Sequence, residues 1–217
     1  MKNNLLLVLC LLTFSLQAQY RIKILNPSFE ADNAKIGVIT QGWFNCGIGP
    51  ISPPDLHSKE TSFFNVREKA AHGENYISLI AKSNKTWEAI GQRLSKPLDK
   101  FRIHHIAFRA KLSKSLRVYN RSSHNLERYN NAVSVQMWAG SSPGSKQEFL
   151  GATEPLNFTS WTKIHLLFRP SKRYRYICFD VTYASEDGLP YNGNVLLDRF
   201  SPISIVPDTL RYRPVCV

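Results

Sequence analysis

The chain has 217 residues, 43% of them hydrophobic, and its 28 Lys and Arg outweigh 16 Asp and Glu to give a net charge of +12 with His neutral. That length makes one domain of good size or two very small ones, and one is the simpler reading. The charge predicts attraction to polyanions but not to nucleic acid: the cations are scattered, and no nucleic-acid motif surrounds Tyr174 and Tyr176 where they interleave with Lys172, Arg173 and Arg175.

Residues 1–18 read as an export signal. Lys2 precedes a nearly unbroken apolar run from Leu5 to Leu12, and Ser15-Leu16-Gln17-Ala18 offers a small-residue cleavage site before Gln19. The run is too short for a bilayer of roughly 30 Å, and Leu9 in front of Cys10 does not suit a lipoprotein signal. No second apolar run of about 18 residues follows, so no membrane span is expected. The expected product is an exported protein, periplasmic, at the cell surface or extracellular, with one domain over 19–206 and a tail over 207–217.

Next comes KILNPSFE, Lys23 to Glu30, a strand-like run that breaks at Asn26-Pro27, resumes at Phe29 and ends on a carboxylate. Gly42 to Ser58, with Trp43, Phe44, Cys46 and several prolines, is too long for a hairpin turn and reads as a functional or tied-down loop. Strands are expected at Tyr76 to Ala81, Trp87 to Leu94, His105 to Leu112, Val133 to Ala139, Trp161 to Arg169, Tyr174 to Thr182 and Asn194 to Phe200. They are short, rich in β-branched and aromatic residues, and separated by turn formers such as Lys82-Ser83-Asn84. Leu116 to Asn131 is a polar excursion between core strands. Ile106, Phe108, Ala110 and Leu112 alternate with His105, Arg109 and Lys111, the pattern of a strand with one wet face. Such strands in this number predict an all-β chain folded as an antiparallel β-sandwich.

Cys46, Cys178 and Cys216 follow the signal, so at most one internal disulfide forms. Cys178 with Cys216 is the expected pair, because a tail with Arg211, Arg213 and Pro214 has little apolar content to dock it; Cys46 with Cys216 is the runner-up. No CxxC spacing and no suitably placed His supports a zinc site.

Several short motifs occur in one order. After Asn26-Pro27-Ser28-Phe29-Glu30 come the Trp43, Cys46, Pro54-Asp55 loop, Gly73 leading into the strand at Tyr76, and Gln92-Arg93-Leu94 running to Pro97-Leu98. A Trp161-containing strand and Leu196-Leu197-Asp198 close the set. This order resembles the galactose-binding-like jelly rolls, the fold of many carbohydrate-binding modules, and more closely the jelly-roll modules of secreted bacterial surface proteins. The resemblance covers nearly the whole chain after the signal. It implies that the first and last strands are neighbours and that their acids, here Glu30 and Asp198, hold a structural calcium together with backbone carbonyls near Asn26 and Gly73. The residues themselves leave open a simpler pairing of these acids with Arg199 or Lys23.

Strand parity suggests a binding surface. With Val133, Val135 and Met137 inward, Gln136 and Trp138 face out; with Ile177, Phe179 and Val181 inward, Tyr174 and Tyr176 face out. Trp138, Gln136, Tyr176 and Arg109 are then expected to share one wet face that contacts a glycan, unless a loop such as Leu116 to Asn131 covers it. Catalysis is not expected. His104 and His105 point to opposite faces, familiar nucleophile and metal motifs are absent, and Asp55 with His57 is the one acid-base neighbour pair of interest. The expected function is that of an exported, non-catalytic module recognising carbohydrate, with an acidic polysaccharide favoured by charge. The alternative is a protein-interaction module of a cell-surface or secretion assembly.

Overall fold

The computed structural model of the chain describes residues 21–32, 34–47, 53–60, 63–120, 123–184 and 189–207, and every regular element among them is a β-strand. The export signal and Cys216 lie outside the described residues. One sheet contains β1 (Arg21–Ile22), β3 (Asp55–Ser58), β4 (Asn75–Ala81), β6 (His104–Lys111), β11 (Thr162–Phe168), β13 (Gly193–Asp198) and β14 (Ile203–Ile205). The other has the order β10 (Glu148–Ala152), β9 (Val133–Gly140), β12 (Tyr176–Tyr183), β5 (Ala89–Arg93), β2 (Phe44–Asn45). β7 (Arg117–Asn120) and β8 (Asn125–Arg128) form a separate hairpin. All strand pairs are antiparallel. Two such sheets packed on one core make an antiparallel β-sandwich of the jelly-roll kind.

The core follows from alternation. Ile106, Phe108 and Ala110 of β6 and Ile77 and Leu79 of β4 meet Val133, Val135 and Met137 of β9 and Ile177, Phe179 and Val181 of β12 in one buried cluster. All seven strands expected from the sequence are present, each end within two residues. β3 and β10 were not expected, because Asp55-Leu56-His57-Ser58 looks polar and β10 carries a bulge between Phe149 and Gly151. Two irregular stretches are also more regular than expected: Gly42 to Ser58 contains β2 and β3, and Leu116 to Asn131 contains the β7–β8 hairpin. Tyr174 corrects the parity reading. It is buried in the core and does not face out, because it precedes β12 and its carbonyl accepts from Leu98 N–H across a turn where strand alternation does not apply.

The break at Asn26-Pro27 has a clear cause. Asn26 takes a left-handed φ of 45°, and its side chain accepts from Glu30 N–H at 2.8 Å and donates to the Glu30 carbonyl at 2.9 Å, closing a tight loop. The Asn26 carbonyl accepts from Trp43 Nε1 at 2.9 Å. Phe29, at φ 58°, pays for that unusual backbone by burying its ring 5.0 Å from Trp43 and 5.8 Å from Phe200. Phe200 in turn packs on Phe108 and Phe179 of the two sheets, and its N–H donates to the Pro27 carbonyl at 2.8 Å. The early and late segments of the chain therefore meet over the sandwich core.

Candidate functional site

Register builds a row across the outer face of the five-stranded sheet. Phe149 of β10 is opposite Trp138 of β9, Trp138 opposite Cys178 of β12, Cys178 opposite Gly91 of β5, and Gly91 opposite Phe44 of β2. Partners in register point to the same face, so aromatic rings stand at both ends of the row. Gly91 is required there: a Cβ would lie 2.5 Å from the Phe44 ring. Trp138 and Phe149 meet edge-on at 5.1 Å, and Phe44 meets Tyr176 at 6.3 Å. Gln136 and Tyr176 flank the row on this face, and Trp138, Gln136, Tyr176, Phe149 and Phe44 are all half-buried. Near the start of β12 a cavity of about 410 Å³ is lined by Pro97, Ser141, Arg173 and Arg175.

The centre of the row is not bare. Asp180, opposite Gln136, is buried and accepts from Trp138 Nε1 at 3.2 Å and from Lys146 Nζ at 2.5 Å. Burial raises its pKa, and the Lys146 charge works against that. Cys46 and Cys178 are both buried and reduced, and they pack together with Ala89, Phe44 and Trp138. A hydrogen bond from Cys46 pulls the Cys178 thiol down, assisted by Lys146 and the Gly144 N–H, while burial pushes Cys46 up. The 141–147 segment and the start of the 42–58 loop thus cover the middle of the face, a role that the sequence suggests for Leu116 to Asn131. The thiol pairing was not legible in the sequence, because Cys46 follows β2 and Cys178 is on β12, with β5 between them.

Arg109 does not join Trp138, Gln136 and Tyr176. It is on β6 in the other sheet, with Lys163 opposite it on one side and Asp198 on the other, so its face looks away from the five-stranded sheet. Parity within a strand sets in and out, but it does not say to which sheet a strand belongs.

Glu30 and Asp198 are brought to the same loop, 71–75. Glu30 accepts from Glu74 N–H at 3.1 Å and Asn75 N–H at 3.3 Å, and its carboxylate packs against Gly73, whose φ of 68° and missing Cβ make room for it. Asp198 is fully buried and accepts from His72 N–H at 2.8 Å and Arg199 N–H at 2.6 Å. Burial pushes its carboxyl up to about 7; these N–H donors oppose the shift and Glu30 adds to it. Neither acid forms an ion pair with Arg199 or Lys23 among the described residues. Both carboxylates are thus met by backbone N–H donors, and no group of three or more acidic, His or Cys side chains that could hold a metal ion gathers among the described residues.

Asp55 and His57 do not work as a pair. Asp55 accepts from Gly37 N–H at 2.8 Å, whereas His57 Nε2 bonds Ser78 Oγ at 2.9 Å and its ring stacks on Tyr76 at 5.5 Å. Both His57 and Ser78 are buried, out of reach of a dissolved substrate. His104 is buried on Phe168, and His105 stacks outside on His165, as opposite-facing neighbours must.

No protein-family model and no curated protein matches the chain. Solved structures do. An arabinose-bound α-L-arabinofuranosidase aligns with 88% of this chain at 10% identity and a TM-score of 0.52, and the chain spans only 27% of that structure. The CBM22-1 xylan-binding domain from Paenibacillus barcinonensis Xyn10C aligns with 85% of this chain and 94% of its own at 17% identity and a TM-score of 0.48. A family 16 carbohydrate-binding module aligns with 83% of this chain and 97% of its own at 13% identity and a TM-score of 0.45. At these identities the likeness is one of fold. No helix among the described residues is long and apolar enough to cross a membrane.

Proposed function

We propose that this chain is an exported, non-catalytic module that binds carbohydrate on the outer face of its five-stranded sheet, outside the cytoplasm. The observation that carries this reading is the row of half-buried rings, Phe149 and Trp138 at one end and Phe44 with Tyr176 at the other, running across the strands beside polar Gln136. Rings spaced across a rigid sheet offer apolar faces to the C–H faces of successive sugars, and neighbouring amide and guanidinium groups bond hydroxyls. The buried state of His57 and Ser78 argues against an enzyme built on them. Calcium at Glu30 and Asp198 belongs to the same reading as a structural ion: it would neutralise two carboxylates at the 71–75 loop and tie to it the segment after β1 and the end of β13.

Tyr176→Ala is the clean test, because that half-buried ring stands at the end of the row and, among the described rings, meets only Phe44 edge-on. On a glycan array and by affinity electrophoresis, it should weaken binding with the melting temperature unchanged. Trp138→Ala should weaken binding and lower the melting temperature, since it also removes the bond to Asp180 and the Phe149 contact. Full glycan binding by Tyr176→Ala would overturn the assignment. A protein-interaction reading has one observation in its favour, the cross-strand pair Tyr119 and Leu126 on the β7–β8 hairpin, 54% and 62% exposed.

A further inference from the structure

The seven-stranded sheet carries a second site, opened by an interruption in its central ladder. β13 pairs with β6 as far as Asp198 opposite Arg109, and β14 resumes the pairing at Ser204 opposite His105. Between them the chain bulges. Arg199 takes a left-handed φ of 51° and is exposed, while Ser201 restores contact by donating N–H to the Ala107 carbonyl at 2.7 Å and accepting Ala107 N–H at 2.9 Å. Bulges re-aim side chains and often mark binding sites. Here the bulge leaves a cavity of about 340 Å³ walled by Arg109, Lys163, Arg199, Ala107, Ser201 and Pro202.

Three cations and no acid line that cavity. Arg109 and Lys163 are held side by side as cross-strand partners of β6 and β11, and Arg199 is carried in by the bulge from the other side. Asp198, the register partner of Arg109, does not neutralise them, because its carboxylate is turned to the His72 and Arg199 N–H groups. No carboxylate pairs with Arg109, Lys163 or Arg199 among the described residues. Arg109 donates from Nη1 to the Trp161 carbonyl at 3.4 Å, a long bond that orients the guanidinium and leaves its other edge for a ligand. Farther along the same two strands the exposed face continues with the stacked His105–His165 pair, 2.8 Å apart through Nε2 and Nδ1, and Leu167. The Lys163 charge helps hold His105 down, after burial and His165, as a locally positive field requires.

We propose that this cavity binds the carboxylate or sulfate group of an acidic polysaccharide, with the Arg109 fork on the anion and Lys163 and Arg199 flanking it. Like charges fixed at one concave site repel until a counter-charge enters, and guanidinium suits planar or tetrahedral oxyanions through paired N–H donors. A polymer is favoured over a small ion because the imidazole and Leu167 surface extends beyond the cavity along β6 and β11. The ligand class rests on the carbohydrate reading above; the site itself, on the opposite sheet, does not.

The test is affinity electrophoresis of the whole chain in matched polymers: polygalacturonate against its methyl ester, and dextran sulfate against dextran. The parent should be retarded more by the charged member of each pair. Arg109→Gln with Lys163→Gln should lose about tenfold in affinity for the charged member, whereas Lys59→Gln with Lys114→Gln, which removes equal charge elsewhere, should lose less than about twofold. Arg199→Asn, which tolerates a left-handed backbone, should weaken binding without unfolding and serves if the double variant melts early. Equal losses from the two doubles would overturn the site in favour of diffuse attraction. Complete displacement by millimolar inorganic sulfate, or tighter Arg109-dependent binding of duplex DNA, would overturn the polysaccharide. Tyr176→Ala should leave this binding intact, so loss of acidic-polymer binding in that variant alone would overturn this site while leaving the five-stranded face standing.

Discussion

Asp55 and His57, two residues apart on β3, carry opposite pH dependences. Burial holds the His57 imidazole down at about 4, and its Nδ1 has no partner among the described residues to share a proton. Burial pushes Asp55 up to about 6, against the Gly37 N–H and the Lys82 charge. In the unfolded chain the values are about 6.5 and 3.9. His57 therefore contributes stability that is present above its unfolded value and is lost as pH falls toward 4. Asp55 contributes stability that is present at acid pH and is lost as pH rises toward 6. The two slopes oppose each other across the same interval. Relative to the parent, Asp55→Asn should melt lowest near pH 4 and recover toward pH 6, and His57→Gln should show the reverse trend. Parallel melting curves for parent and variants would show that neither group titrates in this way.

At the scale of the strand, β2 is the element most exposed to loss. It is two residues long, pairs only with β5 among the described strands, and continues into Cys46, whose N–H donates to the Ala89 carbonyl at 3.2 Å. Its side chains anchor it: Phe44 across Gly91, and Cys46 against Cys178. An oxidant such as glutathione disulfide should convert this anchor into a covalent one. Once β2 opens and uncovers the buried pair, the Cys178 thiolate attacks the disulfide and releases one glutathione, and the Cys46 thiolate then attacks the mixed disulfide and releases the second. The expected product links Cys46 to Cys178, not Cys178 to Cys216, and joining residues so distant in sequence is worth about 5 kcal/mol in the chain-entropy account. Peptide mapping decides the connectivity, and thermal melts with and without reductant report the gain. A Cys178–Cys216 product would restore the pairing expected from the sequence.

Across the whole molecule, the joint between the chain's early and late segments has an apolar and a polar half. Phe29, Trp43 and Phe200 fill the apolar half over the core, and Glu30, Asp198 and the 71–75 loop form the polar half beside it. An ion bound only by the folded joint stabilises it by mass action, by about 2.7 kcal/mol at a hundredfold excess over its dissociation constant. Chelation of the purified protein should therefore lower the melting temperature by several degrees, calcium should restore it, and Asp198→Asn should abolish the response. A melting temperature indifferent to chelator and calcium would leave Glu30 and Asp198 as carboxylates satisfied by backbone N–H groups.

The sequence by itself determined the class of fold and the inward residues of the main strands, because alternation in β6, β9 and β12 and the turn residues between them are local properties. It also marked Asn26-Pro27 as a break, and the resemblance linked Glu30 with Asp198, two acids that in the structure each accept a backbone N–H from the 71–75 loop. Only the tertiary structure decided which faces belong together. Arg109 and Trp138 are both outward on their strands, yet they are on different sheets, since strand order depends on contacts far apart in sequence. Cys46 and Cys178 meet for the same reason: the burial of a shared core sets β2, β5 and β12 side by side, and no short-range pattern in the chain encodes that order.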